Sequence, residues 1–166
     1  MANRARWWAV GLAVGLGAAA PVAAAAKPRT AVRAPAASEA AIHRALGLLP
    51  RRPPAVSVVG ADQVDPESRE RFLRSEAFFS QGSPVVYITR HSPVLQAVQE
   101  GSAIHLHVLA AIIWHEMAHM EGADEQEAQR REESMWKRFV RDGLVDHVTA
   151  LRYLKLLAGR HTAAAN

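Results

Sequence analysis

The sequence predicts an α+β, helix-dominated single domain in which a short sheet packs on one central helix. Three observations predict it. From about Ala103 to Glu121 apolar residues surround a helical wheel on nearly every side, as in a helix at the centre of a core. Two short runs, Val56-Ser57-Val58-Val59 and Val85-Val86-Tyr87-Ile88-Thr89, are rich in the β-branched and aromatic residues that strands favour. Residues 39–160 suffice for one core and one domain.

The elements follow in chain order. Arg4 and Arg6 precede an apolar run from Trp7 to Ala20, and after Pro21 the small residues Val22 to Ala26 suit a signal-peptidase cut. This predicts a secretory signal over residues 1–26 and an exported protein, periplasmic or extracellular. An uncleaved anchor is the alternative, although the apolar core is short for a membrane span. Residues 27–38, rich in Pro, Ala and Arg, read as a flexible linker. Ser38-Glu39 open a short helix with Ile42, Ala45, Leu46 and Leu49 on one face, stopped by Pro50. The Val56–Val59 strand is closed by Gly60. Asp65-Pro66-Glu67-Ser68 looks like a cap with proline at the first helical position, predicting a helix to about Phe78. Gln81-Gly82-Ser83-Pro84 forms a turn before the Val85–Thr89 strand. Ser92-Pro93 start a short helix ending near Gly101, and Ser102 caps the long central helix, which Gly122 ends. Asp124 caps an amphipathic helix to about Arg141, with Glu127 placed for a capping box. After Asp142-Gly143 a last helix carries Leu144, Val148, Leu151, Leu154 and Leu157, and residues 161–166 form a disordered tail.

Composition narrows the function classes. Removing Arg4 and Arg6 from the 20 basic residues leaves 18 against 16 acids, a net charge of about +2. With arginines scattered rather than clustered, this does not support a nucleic-acid binder. No cysteine is present, which excludes disulfides and a lipid anchor on cysteine. At 49% apolar and 22% charged the chain has the make-up of an ordinary globule, and no stable membrane span is expected once the signal is removed.

The chemistry sits in His115-Glu116-Met117-Ala118-His119. Two histidines four residues apart lie about one turn from each other on one helix face, so both imidazoles can grip one metal ion. Glu116 can then lean over a water on that metal. This is the H-E-x-x-H arrangement of zinc-dependent hydrolases. Catalytic zinc commonly takes three protein ligands. Gly122 tolerates the left-handed conformation that turns the chain, and Glu125, three residues beyond, can swing back as the third. Asp124 and Glu127 are the alternatives.

The whole run, H-E-x-x-H-x-x-G-x-x-E, resembles the zincin clan of metallopeptidases. It is similar to the metzincin frame, with Glu125 where that group has its third histidine or aspartate. It is also similar to the gluzincins, whose glutamate ligand opens an E-x-x-A pattern matched by Glu125-Gln126-Glu127-Ala128. Neither group is matched throughout: Met135, the only later methionine, lies in a predicted helix, and Gln129 stands where gluzincins commonly carry aspartate. The resemblance implies one Zn2+ ion on His115, His119 and Glu125, with Glu116 as general base for hydrolysis of a peptide or protein substrate. It also implies an edge strand along the cleft that pairs with extended substrate, here Val85, Val86, Tyr87, Ile88 and Thr89. The oxyanion needs one more donor; the candidates are Tyr153, His147 and Arg152, with Tyr153 foremost.

Other residues carry weaker signals. His107, two turns before His115, reads as a partly buried polar residue or as support for the metal site. His91 reads as a surface loop residue or a cleft residue, and Trp136 and Phe139 as core. Two functions follow: an exported zinc metallopeptidase, or a non-catalytic envelope protein of the same fold whose metal is structural or supports partner binding.

Overall fold

The computed structural model describes residues 7–11, 36–64, 69, 72, 73, 75–80 and 82–164. The rest of the expected signal, the linker as far as Pro35, the cap at Asp65 to Ser68 and residues 165–166 lie outside the described residues.

The architecture is α+β and dominated by helices. The strands are β1 (Trp7–Gly11), β2 (Ala55–Val59), β3 (Ser75–Ser80) and β4 (Val85–Thr89). The helices are α1 (Ala36–Leu46), α2 (Pro93–Gln99), α3 (Ala103–Met120), α4 (Glu125–Arg141) and α5 (His147–Ala164), with a 3-10 turn at Ala61–Gln63. One mixed sheet has the order β1-β3-β4-β2. β2 runs parallel to β4, with Val56 opposite Val86 and Val58 opposite Ile88. β3 runs antiparallel to β4, with Phe78 opposite Tyr87, and β1 antiparallel to β3, with Trp8 opposite Phe79.

The two-residue period of the strands separates two cores. Val58, Ala77, Val86 and Ile88 join the main core with α1, α2, α3 and α4. Val59, Phe78 and Tyr87 face the other way and form a smaller cluster with Phe72. In that cluster Phe78 stacks on Tyr87 at 5.2 Å between centroids.

α3 is the axle of the domain. Every residue from His107 to His119 except Trp114 is buried, as its all-round apolar wheel predicts. α4 closes over it with Met135, Trp136 and Phe139, all in the core. Among the described residues no helix is long and apolar enough to cross a membrane.

Several elements differ from the sequence reading. The helix expected to reach Phe78 gives way to β3. Backbone at Arg69, Phe72 and Leu73 is helical, but Ser75–Ser80 alternates Ala77 toward the main core with Phe78 toward Tyr87, a two-residue period that only a strand supplies. α1 begins at Ala36, ahead of the expected Ser38-Glu39 start. Ser102 holds the N-cap position of α3, yet its side chain makes no capping bond and instead meets His105 Nδ1 at 2.7 Å. The expected apolar residues divide: Leu144, ahead of α5, and Val148 and Leu151 on it are exposed, whereas Leu154 packs against the core together with Tyr153 and the buried Ala150. α5 runs to Ala164, into the segment expected as a tail.

Candidate metal centre

His115 and His119 point from the same face of α3, with ring centroids 4.8 Å apart and their Nε2 atoms 3.1 Å apart. Both are buried. The third donor arrives by a tight turn. Gly122 takes φ +89°, its N–H donates to the His119 carbonyl at 3.0 Å, and the Ala123 N–H donates to the Ala118 carbonyl at 3.0 Å. Asp124 then caps α4, its Oδ1 accepting from the Glu127 N–H at 2.8 Å. Glu125 is therefore the first helical residue, facing back over the histidines. Its Oε1 lies 3.7 Å from His115 Nε2 and its Oε2 3.3 Å from His119 Nε2. Three ligand atoms, one from each residue, lie within 4.8 Å of one another. The alternatives are engaged elsewhere: Asp124 in the cap, and Glu127 with Arg130 and Arg131.

The outer atoms of both rings fix what the inner atoms can do. His115 Nδ1 meets Glu132 Oε2 at 3.0 Å, and His119 Nδ1 meets the Ala123 carbonyl at 3.0 Å. A carboxylate and a carbonyl only accept, so each Nδ1 carries the hydrogen. Both Nε2 lone pairs are then left facing each other and the Glu125 carboxylate. Such a convergence of acceptors calls for a cation between them, a proton or a metal ion. Two imidazoles and a carboxylate on hydrogen-bonded supports are a donor set that fits a divalent transition ion.

Charge around the site agrees. Burial disfavours the imidazolium of His115, but the bonded carboxylates of Glu125 and Glu132, with the charges of Glu132 and Glu116, outweigh it and raise its pKa to about 10. Burial likewise opposes ionisation of Glu125, and the two histidines overcome it, holding its carboxyl below the usual range. Glu116 is fully buried on α3, and its charge is felt at His115.

Surrounding groups hold this arrangement. Phe79 of β3 stacks on His119 at 5.7 Å with an interplanar angle of 11°. The Gln129 amide donates to Glu125 Oε1 at 2.6 Å. Arg51 and Arg131 both bond Glu121 at the turn, and Arg51 lies 5.5 Å over the Trp114 ring. Burial works against the Glu121 charge, yet these two guanidiniums hold its carboxyl below its ordinary pKa.

Other expected site residues are placed differently. Tyr153 is not at the metal face. Its hydroxyl donates to Glu132 Oε1 at 2.7 Å, behind His115 on the Nδ1 side, and its ring stacks on Trp136 at 4.1 Å. Its hydroxyl therefore does not stand where the expected oxyanion donor would. His147 and Arg152 lie exposed on α5. Val85, Val86, Tyr87, Ile88 and Thr89 form a strand, but an interior one: β4 is bonded by β3 on one side and β2 on the other, so its backbone has no free edge for substrate. β3 is the strand beside the histidines. His107 is a packed polar residue, its Nδ1 on the Ala103 carbonyl at 2.8 Å and its ring edge-on to Phe139. His91 is exposed.

Sequence reasoning missed Glu132 and Phe79, and marked Gln129 only as a departure from the gluzincin pattern. Glu132 had a readable signal, since it follows Glu125 by seven residues, two helical turns along one face. Compared with known proteins, the chain matches no family model, no curated protein and no solved structure. Fold and site together define an α+β domain with a candidate His-His-Glu metal centre on its central helix.

Proposed function

We propose that this protein is an exported zinc-dependent peptidase, and the convergence of His115, His119 and Glu125 beside Glu116 is the observation that carries the reading. Zinc suits the donor set, being borderline-soft and commonly held by histidine and carboxylate. Bound there, it would polarise a peptide carbonyl and bring the pKa of its water near neutrality. The histidines present their Nε2 lone pairs because their outer partners hold the hydrogens on Nδ1. Glu116 would accept the proton of that water on its carboxylate and pass it to the leaving amine. With residues 1–26 removed, β1 (Trp7–Gly11) no longer covers the outer edge of β3, and β3, with Phe79 packed on His119, would be the strand suited to line an extended substrate.

Purified protein lacking residues 1–26 is expected to bind one zinc per chain and to cleave a peptide library. Glu116→Gln should abolish cleavage while keeping the metal. Equal turnover by the variant and the unaltered protein would overturn the reading.

One observation favours a second reading. Glu116 is 0% exposed, whereas a general base must meet water. In that reading the metal serves only to tie α3 to α4, and zinc-loaded protein cleaves no peptide.

A further inference from the structure

We infer that Glu132 is a positioning residue that couples the metal centre to the C-terminal helix, with Tyr153 as the far end of the link. This rests on the metal reading of His115, His119 and Glu125 and goes beyond it.

The Glu132 carboxylate is 1% exposed, a costly place for an anion unless both oxygens are occupied. Its Oε2 meets His115 Nδ1 at 3.0 Å, and its Oε1 accepts the Tyr153 hydroxyl at 2.7 Å. One carboxylate therefore spans two elements: α3 through His115 and α5 through Tyr153. Neither partner can drift. His115 is buried within α3, and the Tyr153 ring lies on Trp136, itself fully buried and edge-on to Phe139 at 5.7 Å. Glu125 and Glu132 leave the same face of α4 two turns apart. One helix thus supplies both the ligand in front of His115 and the brace behind it.

The consequence is reciprocal, as any coupling between two sites must be. A cation on His115 Nε2 makes its Nδ1–H a stronger donor, which tightens Glu132 and, through it, the Tyr153 bond that docks α5. Conversely, a docked Tyr153 holds Glu132 where it fixes the His115 ring and tautomer. Supports of this kind typically cost 10–100-fold in metal affinity when removed.

Zinc affinity is measured by competition with a chromophoric chelator, coordination by the absorption spectrum of the cobalt-loaded protein, and α5 docking by amide exchange over His147–Lys155 with and without zinc. Glu132→Gln is expected to weaken zinc binding about 10–100-fold and to alter the cobalt spectrum, with Glu132→Asp recovering part of the loss. Tyr153→Phe, which keeps the stacked ring, should weaken zinc about five-fold, the worth of one hydrogen bond. It should also abolish the zinc-dependent protection of α5. A purely structural Tyr153 would lower stability without moving the cobalt spectrum or the zinc dependence of α5 exchange. If the unaltered protein binds zinc but Glu132→Gln and Tyr153→Phe bind it equally well, the coupling is wrong and the metal reading stands. If the unaltered protein binds no zinc, both fall.

Discussion

Gly122 does more than end α3. At φ +89° it sets the direction from which the Ala123 carbonyl meets His119 and from which Glu125 enters the site. An added Cβ would meet nothing within 4 Å, so the penalty of a substitution there is conformational and not steric. Gly122→Ala should therefore cost about 1–2 kcal/mol of stability and weaken zinc as the turn relaxes. Gly122→Asn, a residue that visits this conformation more readily, should recover much of both losses. Urea denaturation and chelator competition check the pair. Retained zinc affinity in Gly122→Ala would show that the turn does not position Glu125. At this scale the site was largely legible, because ligands four and six residues apart on a helix and its turn obey local geometry. Glu132 was half legible: its spacing from Glu125 was visible, but its meeting with His115 depends on how α3 and α4 pack. Tyr153 was misread because its partner lies 21 residues away on another helix, and no local pattern says which face of α5 turns inward.

Among the elements, β3 shows why local signals mislead. Asp65-Pro66 announce a helix, and Ser75-Glu76-Ala77-Phe78-Phe79-Ser80 has no strong period of its own. What makes it a strand is the partner waiting in β4 and the two cores on either side. That placement carries a prediction. β1 covers the outer edge of β3, so a chain beginning at Lys27 leaves β3 as the sheet edge beside the candidate metal centre. Backbone amides of Ser75–Ser80 should then exchange faster, while those of β4 stay protected between two neighbours. Unchanged exchange over β3 would mean that β1 does not shield it. α5 offers a pH test. Asp146 caps it, accepting from the Thr149 hydroxyl and the Thr149 N–H, and these bonds hold its carboxyl below the ordinary range. A depressed folded pKa contributes stability above the unfolded value and loses it as pH falls through the folded one. Far-UV circular dichroism followed from neutral pH into acid should show α5 helicity lost with the cap, and Asp146→Asn should remove that component. An identical acid profile in the variant would place the transition elsewhere.

For the molecule as a whole, the proposed metal site would also be a fastening. Its candidate ligands come from α3 and α4, its supports from β3 through Phe79 and from α5 through Tyr153, so four elements meet at one point. An unfolded chain cannot hold His115, His119 and Glu125 within reach of one ion, so binding selects the folded state. Zinc at a hundred times its dissociation constant should then add about 2.7 kcal/mol, which for a domain of this size raises the melting temperature by roughly 5–10 °C. Calorimetry with and without a chelator tests this, and His119→Ala should melt at one temperature under both conditions. A surface ion held by exposed carboxylates would give a shift that salt erases. Here two of the three ligands are buried histidines, so the shift should survive added salt. An equal shift in His119→Ala would place the zinc somewhere other than this centre.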